Sequence, residues 1–163
     1  MKIYILTTIL FVIGIVSGIV LSYIFLQNPS ELELNTNLSV VELFFHNYVW
    51  FIIFLFGFLT FGIINISMLL YNGGVIGFLI GYSLKTKQFI QLIIWLAPHG
   101  VFEILALIIS NGFAFFILYF FYLKIIKEVK TNIKIKFLFT RSLLLITIFS
   151  IIASLLEVYI NYK

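Results

Sequence analysis

The chain has 163 residues, of which 63% are hydrophobic and 10% charged, with mean hydropathy +1.22 and a net charge of +4. Ordinary globular domains carry roughly 25% charged residues, and a domain of this size could not hide so much apolar surface from water, so a soluble fold is excluded. The absence of cysteine excludes disulfides, thiol nucleophiles and thiolate metal sites.

The first apolar run, Ile3–Leu26, follows Lys2. It is longer than the roughly 7–15 residues of a signal-peptide core and has no convincing small-x-small cleavage site, so an uncleaved first span is expected over about 3–26. Gln27-Asn28-Pro29-Ser30 ends it with turn residues. The polar segment 27–42 carries Glu31, Glu33 and Glu42 with no Lys or Arg, which suits the outer face. From Leu43 to Leu84 no residue carries a formal charge with His46 neutral, and this stretch of 42 residues holds two spans at about 20 residues each. The expected spans are 47–65 and 67–84, with the turn near Asn65–Ser67. After the short polar loop Lys85-Thr86-Lys87, residues 88–97 make about half a span. Proline disfavours helix in the residue before it and fits the first turn of a new one. A re-entrant or interfacial segment is therefore expected before Pro98, and a fourth span from 98 to about 123. The loop 124–136 holds five lysines, and the fifth span covers about 137–160.

The fold expected is all-α: a single integral membrane domain, residues 1–163, of about five transmembrane helices. In a soluble chain the cluster Lys124–Arg141 would point to nucleic acid; between two apolar segments it reads as a cytoplasmic loop, and no nucleic-acid partner is expected. Five crossings with that loop inside put the N-terminus in the cytoplasm of a cell membrane and the C-terminus outside, with seven of the ten Lys and Arg residues inside. Lys85 and Lys87 then lie outside, against the trend.

Ionisable groups at membrane depth cost about 2.5–3.5 kcal/mol each on insertion scales, so they mark candidate sites. His99 and Glu103 stand at i and i+4 and share a helix face. On this topology they begin span four in the outer leaflet, His46 and Asn47 begin span two there, and Glu157 lies near the outer end of span five. A polar cluster of His99, Glu103 and Glu157 with Asn47 at its rim is expected. The His–Glu pair can chelate a metal such as Zn²⁺, pass a proton, bind a polar ligand, or simply satisfy itself at the start of a helix. Gly100 leaves room for a neighbouring helix or a ligand. Arg141 reads as a cation snorkelling to the inner interface or binding a partner. Gly57, Gly62, Gly77 and Gly81 permit close helix packing in lipid. There is no GxxxxGK[ST] phosphate loop, so any ATP hydrolysis belongs to another chain.

The segment Leu96-Ala97-Pro98-His99-Gly100-Val101-Phe102-Glu103-Ile104-Leu105-Ala106 resembles the signature of the stage II sporulation protein M family. Asn47 heads a span as in the family's Asn-Asn element, with His46 in place of the first Asn. Asn72-Gly73 precedes Gly77 as in its Asn-Gly element, and Ile151-Ile152-Ala153-Ser154-Leu155-Leu156-Glu157 resembles its C-terminal Ala-Ala-x-x-Glu segment. The resemblance covers roughly residues 5–160. It implies a small polytopic membrane subunit that scaffolds other membrane proteins. In sporulation such a subunit works with peptidoglycan-degrading partners; in circular-bacteriocin clusters it stands beside an ATP-binding protein and assists peptide export, maturation or self-protection. An ATPase would dock on the basic loop through Lys127, Lys130, Lys134 and Arg141. The alternatives are an intramembrane hydrolase or peptide-processing enzyme that uses Glu103 as general base beside His99 with Zn²⁺, and a passive immunity protein. The non-enzymatic reading leads, and a homo-oligomer is compatible with it.

Overall fold

In a computed structural model, residues 2–26, 39–128 and 133–161 are described. Five α-helices run through them: α1 Lys2–Phe25, α2 Val40–Leu55, α3 Ile63–Lys85, α4 Phe89–Phe121 and α5 Ile135–Asn161. A 3₁₀ turn, Gly57–Thr60, joins α2 to α3, and a π turn, Tyr122–Ile126, continues α4. No strand occurs among the described residues. The fold is that of an all-α polytopic membrane protein. The first, third, fourth and fifth helices are long and apolar enough to cross a bilayer. Helix α2 has 16 residues, about 24 Å, against a hydrocarbon core of about 30 Å.

Two expectations are corrected. The turn between the second and third helices lies at residues 56–62, not near Asn65–Ser67. It is built on left-handed backbone at Phe61 (φ 53°) and Gly62 (φ 80°). Asn65 does not break a helix; it is buried in the first turns of α3 and donates to the Phe54 carbonyl at 2.8 Å. The separate half-span before Pro98 is also absent. Residues 89–97 are the first turns of a 33-residue helix, about 50 Å long, with Pro98 inside it. Proline removes one helical N–H, a defect that transmembrane helices tolerate when neighbouring groups compensate for it.

Helices α1 and α3 pack in parallel, in step along their lengths. Gly14 meets Gly73, Gly18 meets Gly74 and Phe78, Gly77 meets the Ile15 backbone, and Gly81 meets Ser22. Small residues on both sides bring the backbones together, the usual basis of helix association in lipid. At the top of this pair Lys85 donates from Nζ to the carbonyls of Ser22, Tyr23 and Leu26 at 3.2, 3.1 and 2.6 Å. These are carbonyls of the last turn of α1, where the Ser22 carbonyl also accepts from the Leu26 N–H at 3.2 Å, and a cation there opposes the helix dipole. Lys85 thus has a structural role as the cap of α1. The expected loop 85–87 is a Schellman turn: Lys87 is left-handed (φ 60°) and the Gln88 N–H returns to the Ser83 carbonyl at 2.8 Å.

The other three helices form a second group. Helices α4 and α5 run antiparallel, with Phe102 against Phe149 and Phe113 against Phe139. Helix α2 lies on both, on α5 through Tyr48 to Thr147 at 3.2 Å and on α4 through Asn47 to Glu103. Ser39 and Glu42 form a capping box at its start: the Ser39 N–H donates to Glu42 Oε2 at 2.8 Å and the Glu42 N–H to Ser39 Oγ at 3.3 Å. Phe11, Leu69, Leu107 and Ile117, from α1, α3 and α4, belong to the core that joins the two groups.

Candidate functional site

Although a short turn joins α2 to α3, they pack chiefly on different neighbours, α3 on α1 and α2 on α4 and α5. The seam between them is a cavity of about 770 Å³, with α4 behind it. Its walls are mostly apolar and aromatic, including Phe11, Trp50, Phe51, Met68, Tyr71 and Trp95. Its polar groups are His46, Asn47, Asn72, His99, Glu103 and Glu157. Among the described residues no lysine or arginine lines it. Trp50, Tyr71 and Val75 at its edge are 41%, 66% and 42% exposed, so the mouth opens sideways between α2 and α3, toward lipid.

His99, Glu103, Glu157 and Asn47 therefore line one cavity. Asn47 Nδ2 donates to Glu103 Oε1, linking α2 to α4. The carboxylates of Glu103 and Glu157 are close enough to repel one another, and His46 is close enough to attract Glu157. His99 is 3% exposed, stands edge-on to the Trp95 ring, and its Nδ1 has no hydrogen-bond partner. Asn72 lines the opposite wall and donates to the Met68 carbonyl at 2.8 Å.

One detail differs from expectation. The depth is greater: α4 begins at Phe89, so Glu103 lies 14 residues in, about 21 Å along the helix, rather than near its start. Its partner Asn47 is midway along α2, which places the pair near the middle of the bundle rather than in the outer leaflet. Glu103 reaches across to Asn47 instead of pairing with His99 on its own helix. Gly100 faces the cavity: an added Cβ would meet only Leu96 of its own helix, at 3.5 Å.

The remaining expected residues lie apart. Pro98 is exposed on α4, and Gly73 is buried against the backbone of Phe11 and Ile15 on α1. Lys127, Lys134 and Arg141 are exposed at the opposite end from the Lys85 turn; Lys130 is outside the described residues. No group of three or more His, Asp or Glu among the described residues is arranged to hold a metal ion, so His99 and Glu103 have no third ligand for Zn²⁺.

A polar pair not singled out from the sequence is Asn65 with Asn111, both fully buried below the cavity. Asn65 Nδ2 donates to Asn111 Oδ1 at 2.8 Å as well as to Phe54, and Asn111 Nδ2 donates to the Leu107 carbonyl at 2.8 Å. The signal was available, because an asparagine inside an apolar span needs a partner.

The family model for stage II sporulation protein M matches residues 7–161. The chain belongs to that family. An uncharacterized protein of Methanocaldococcus jannaschii is 34% identical over 167 residues, a match that covers 98% of this chain and 93% of that protein. No solved structure matches. The resemblance of the Pro98–Glu103 segment to the family signature thus extends to a match over nearly the whole chain, and the helix that carries this segment forms the back of the cavity.

Proposed function

We propose that this member of the stage II sporulation protein M family is a non-enzymatic membrane subunit that assembles with other membrane proteins and assists the export or maturation of a peptide, or the remodelling of the envelope. The supporting observation is the cavity between α2 and α3: a mostly apolar pocket with two carboxylates in its lining and exposed Trp50, Tyr71 and Val75 at its edge. Such a pocket receives a membrane-borne occupant. Glu103 is engaged by Asn47, a contact that ties α4 to α2. In this reading the N-terminus and the lysine-rich loop are cytoplasmic, and Lys127, Lys130, Lys134 and Arg141 present a cationic surface to a separate ATP-binding protein.

The test is affinity purification from native membranes after cross-linking. At least one further chain should be recovered in near-stoichiometric amount, and neutralising Lys127, Lys130 and Lys134 together should release the cytoplasmic one. Protein recovered alone would overturn the reading.

A further inference from the structure

We infer that the cavity binds a basic residue, a lysine above all, carried in the middle of an apolar membrane segment of a partner chain. This rests on the reading of the protein as a membrane subunit and names what its cavity takes. Two carboxylates, Glu103 and Glu157, share the cavity, and among the described residues no lysine or arginine lines it. One oxygen of Glu103 is taken by Asn47 and the other is left. Glu157 adds a second carboxylate, and His99, buried and lining the same space, has Nδ1 without a partner. An ammonium group brings three donors and no acceptor. The cavity offers it the two carboxylates as acceptors, and its charge offsets the repulsion between Glu103 and Glu157.

The depth selects the carrier. Glu103 and Asn47 sit near mid-bundle, about 21 Å along α4. A lipid amine is held at the headgroup level, and a soluble amine would have to cross hydrocarbon to reach the mouth. A basic residue within a transmembrane segment is already at that depth and is costly there until paired. The rest of such a segment would lie along Trp50, Tyr71 and Val75, which flank the mouth. At about 770 Å³ the cavity falls within the range of specific binding pockets, about 300–1,000 Å³.

The chain has two tryptophans, Trp50 and Trp95, and both line the cavity, so intrinsic fluorescence reports on it directly. The experiment uses the full-length protein in phosphatidylcholine vesicles and a dansyl-labelled leucine–alanine peptide of about 20 residues, long enough to span. Its central residue is lysine, glutamine or leucine. Energy transfer from tryptophan should saturate at a mole fraction at least ten-fold lower for the lysine peptide than for the other two. The Glu103→Gln/Glu157→Gln double variant should lose that preference. Equal binding of the three peptides to the wild type overturns the inference, whether or not the double variant folds. So does an unchanged preference in a folded double variant. Loss of lysine-peptide binding on adding phosphatidylethanolamine assigns the site to a lipid amine and overturns the peptide occupant. Failure here with partner chains still co-purifying removes this inference alone, whereas loss of the partners removes the reading beneath it.

Discussion

Replacing Gly77 by alanine tests the close α1–α3 contact that forms one wall of the cavity. A Cβ at Gly77 would lie 2.7 Å from the carbonyl carbon of Ile15 and 2.9 Å from its Cα, and closer still to its oxygen. Carbon atoms prefer separations of about 3.5–4.0 Å. The obstacle is backbone, which cannot rotate away, so the helices must part by about 1 Å. A gap of 0.5–1 Å forfeits about a quarter to a half of each contact's attraction, and overpacking of this kind costs about 1–3 kcal/mol. Gly74 is the control on the same helix: its added Cβ would be 3.9 Å from the Gly14 carbonyl oxygen, an ordinary contact. There, alanine gains about 0.8–1 kcal/mol of helix propensity without the clash. Allowing Gly77→Ala the same gain, the two variants should differ by about 1–3 kcal/mol, with Gly74→Ala the more stable. Reversible unfolding in mixed detergent–dodecyl sulfate micelles reads the difference. Equal stability of the two variants, or a more stable Gly77→Ala, would refute the close-packed parallel pair.

Three further outcomes are expected. Lys85→Met should lower stability by about 1–2 kcal/mol, with faster amide exchange confined to the last turn of α1, because the carbonyls of Ser22, Tyr23 and Leu26 lose their shared donor; unchanged exchange there would contradict the cap. A double-mutant cycle of Asn65→Ala and Asn111→Ala should give a coupling of about 0.6–1.7 kcal/mol in detergent unfolding, and additive effects would mean that the bond at 2.8 Å contributes nothing. Single cysteines introduced at Ser30 and Thr131 into this cysteine-free chain should be labelled from outside intact cells at 30 only; labelling at 131 with 30 protected would reverse the orientation.

The sequence made the fold class legible because composition alone requires lipid as solvent, and the turn after α3 lies at the charged Lys85–Lys87. Boundaries inside the uncharged stretch 43–84 were harder to read, because hydropathy there is nearly uniform. The signals that mark them are finer: the Ser39-x-x-Glu42 capping box starts α2 eight residues before Asn47, and Gly57 and Gly62 bracket the turn. Asn65 was misread as a breaker because asparagine favours turns in water, whereas in an apolar interior it is used to bridge helices. Pro98 misled for a similar reason. A rule learned from helix starts was applied to a position in the third turn of a membrane helix. That choice also set the apparent depth of Glu103 too shallow.

The expected polar cluster does not depend on these boundaries, because it rests on helix faces rather than helix ends. His99 and Glu103 remain four residues apart on one helix wherever it starts. What the sequence could not supply is the space between α2 and α3. Near their common turn the two helices are pinned together by Asn65, which reaches both Phe54 and Asn111. Above that point α3 is drawn onto α1 by glycines, and α2 onto α4 by Asn47 and onto α5 by Tyr48. A wedge therefore opens, and the carboxylates of α4 and α5 line its interior. Its width is set by packing against α1, a helix that contributes only Phe11 to the lining. Parting α1 from α3 at Gly77 should thus disturb the cavity as well as stability, so a change in Trp50 and Trp95 emission in the folded Gly77→Ala variant, absent from Gly74→Ala, is the expected signature of that coupling.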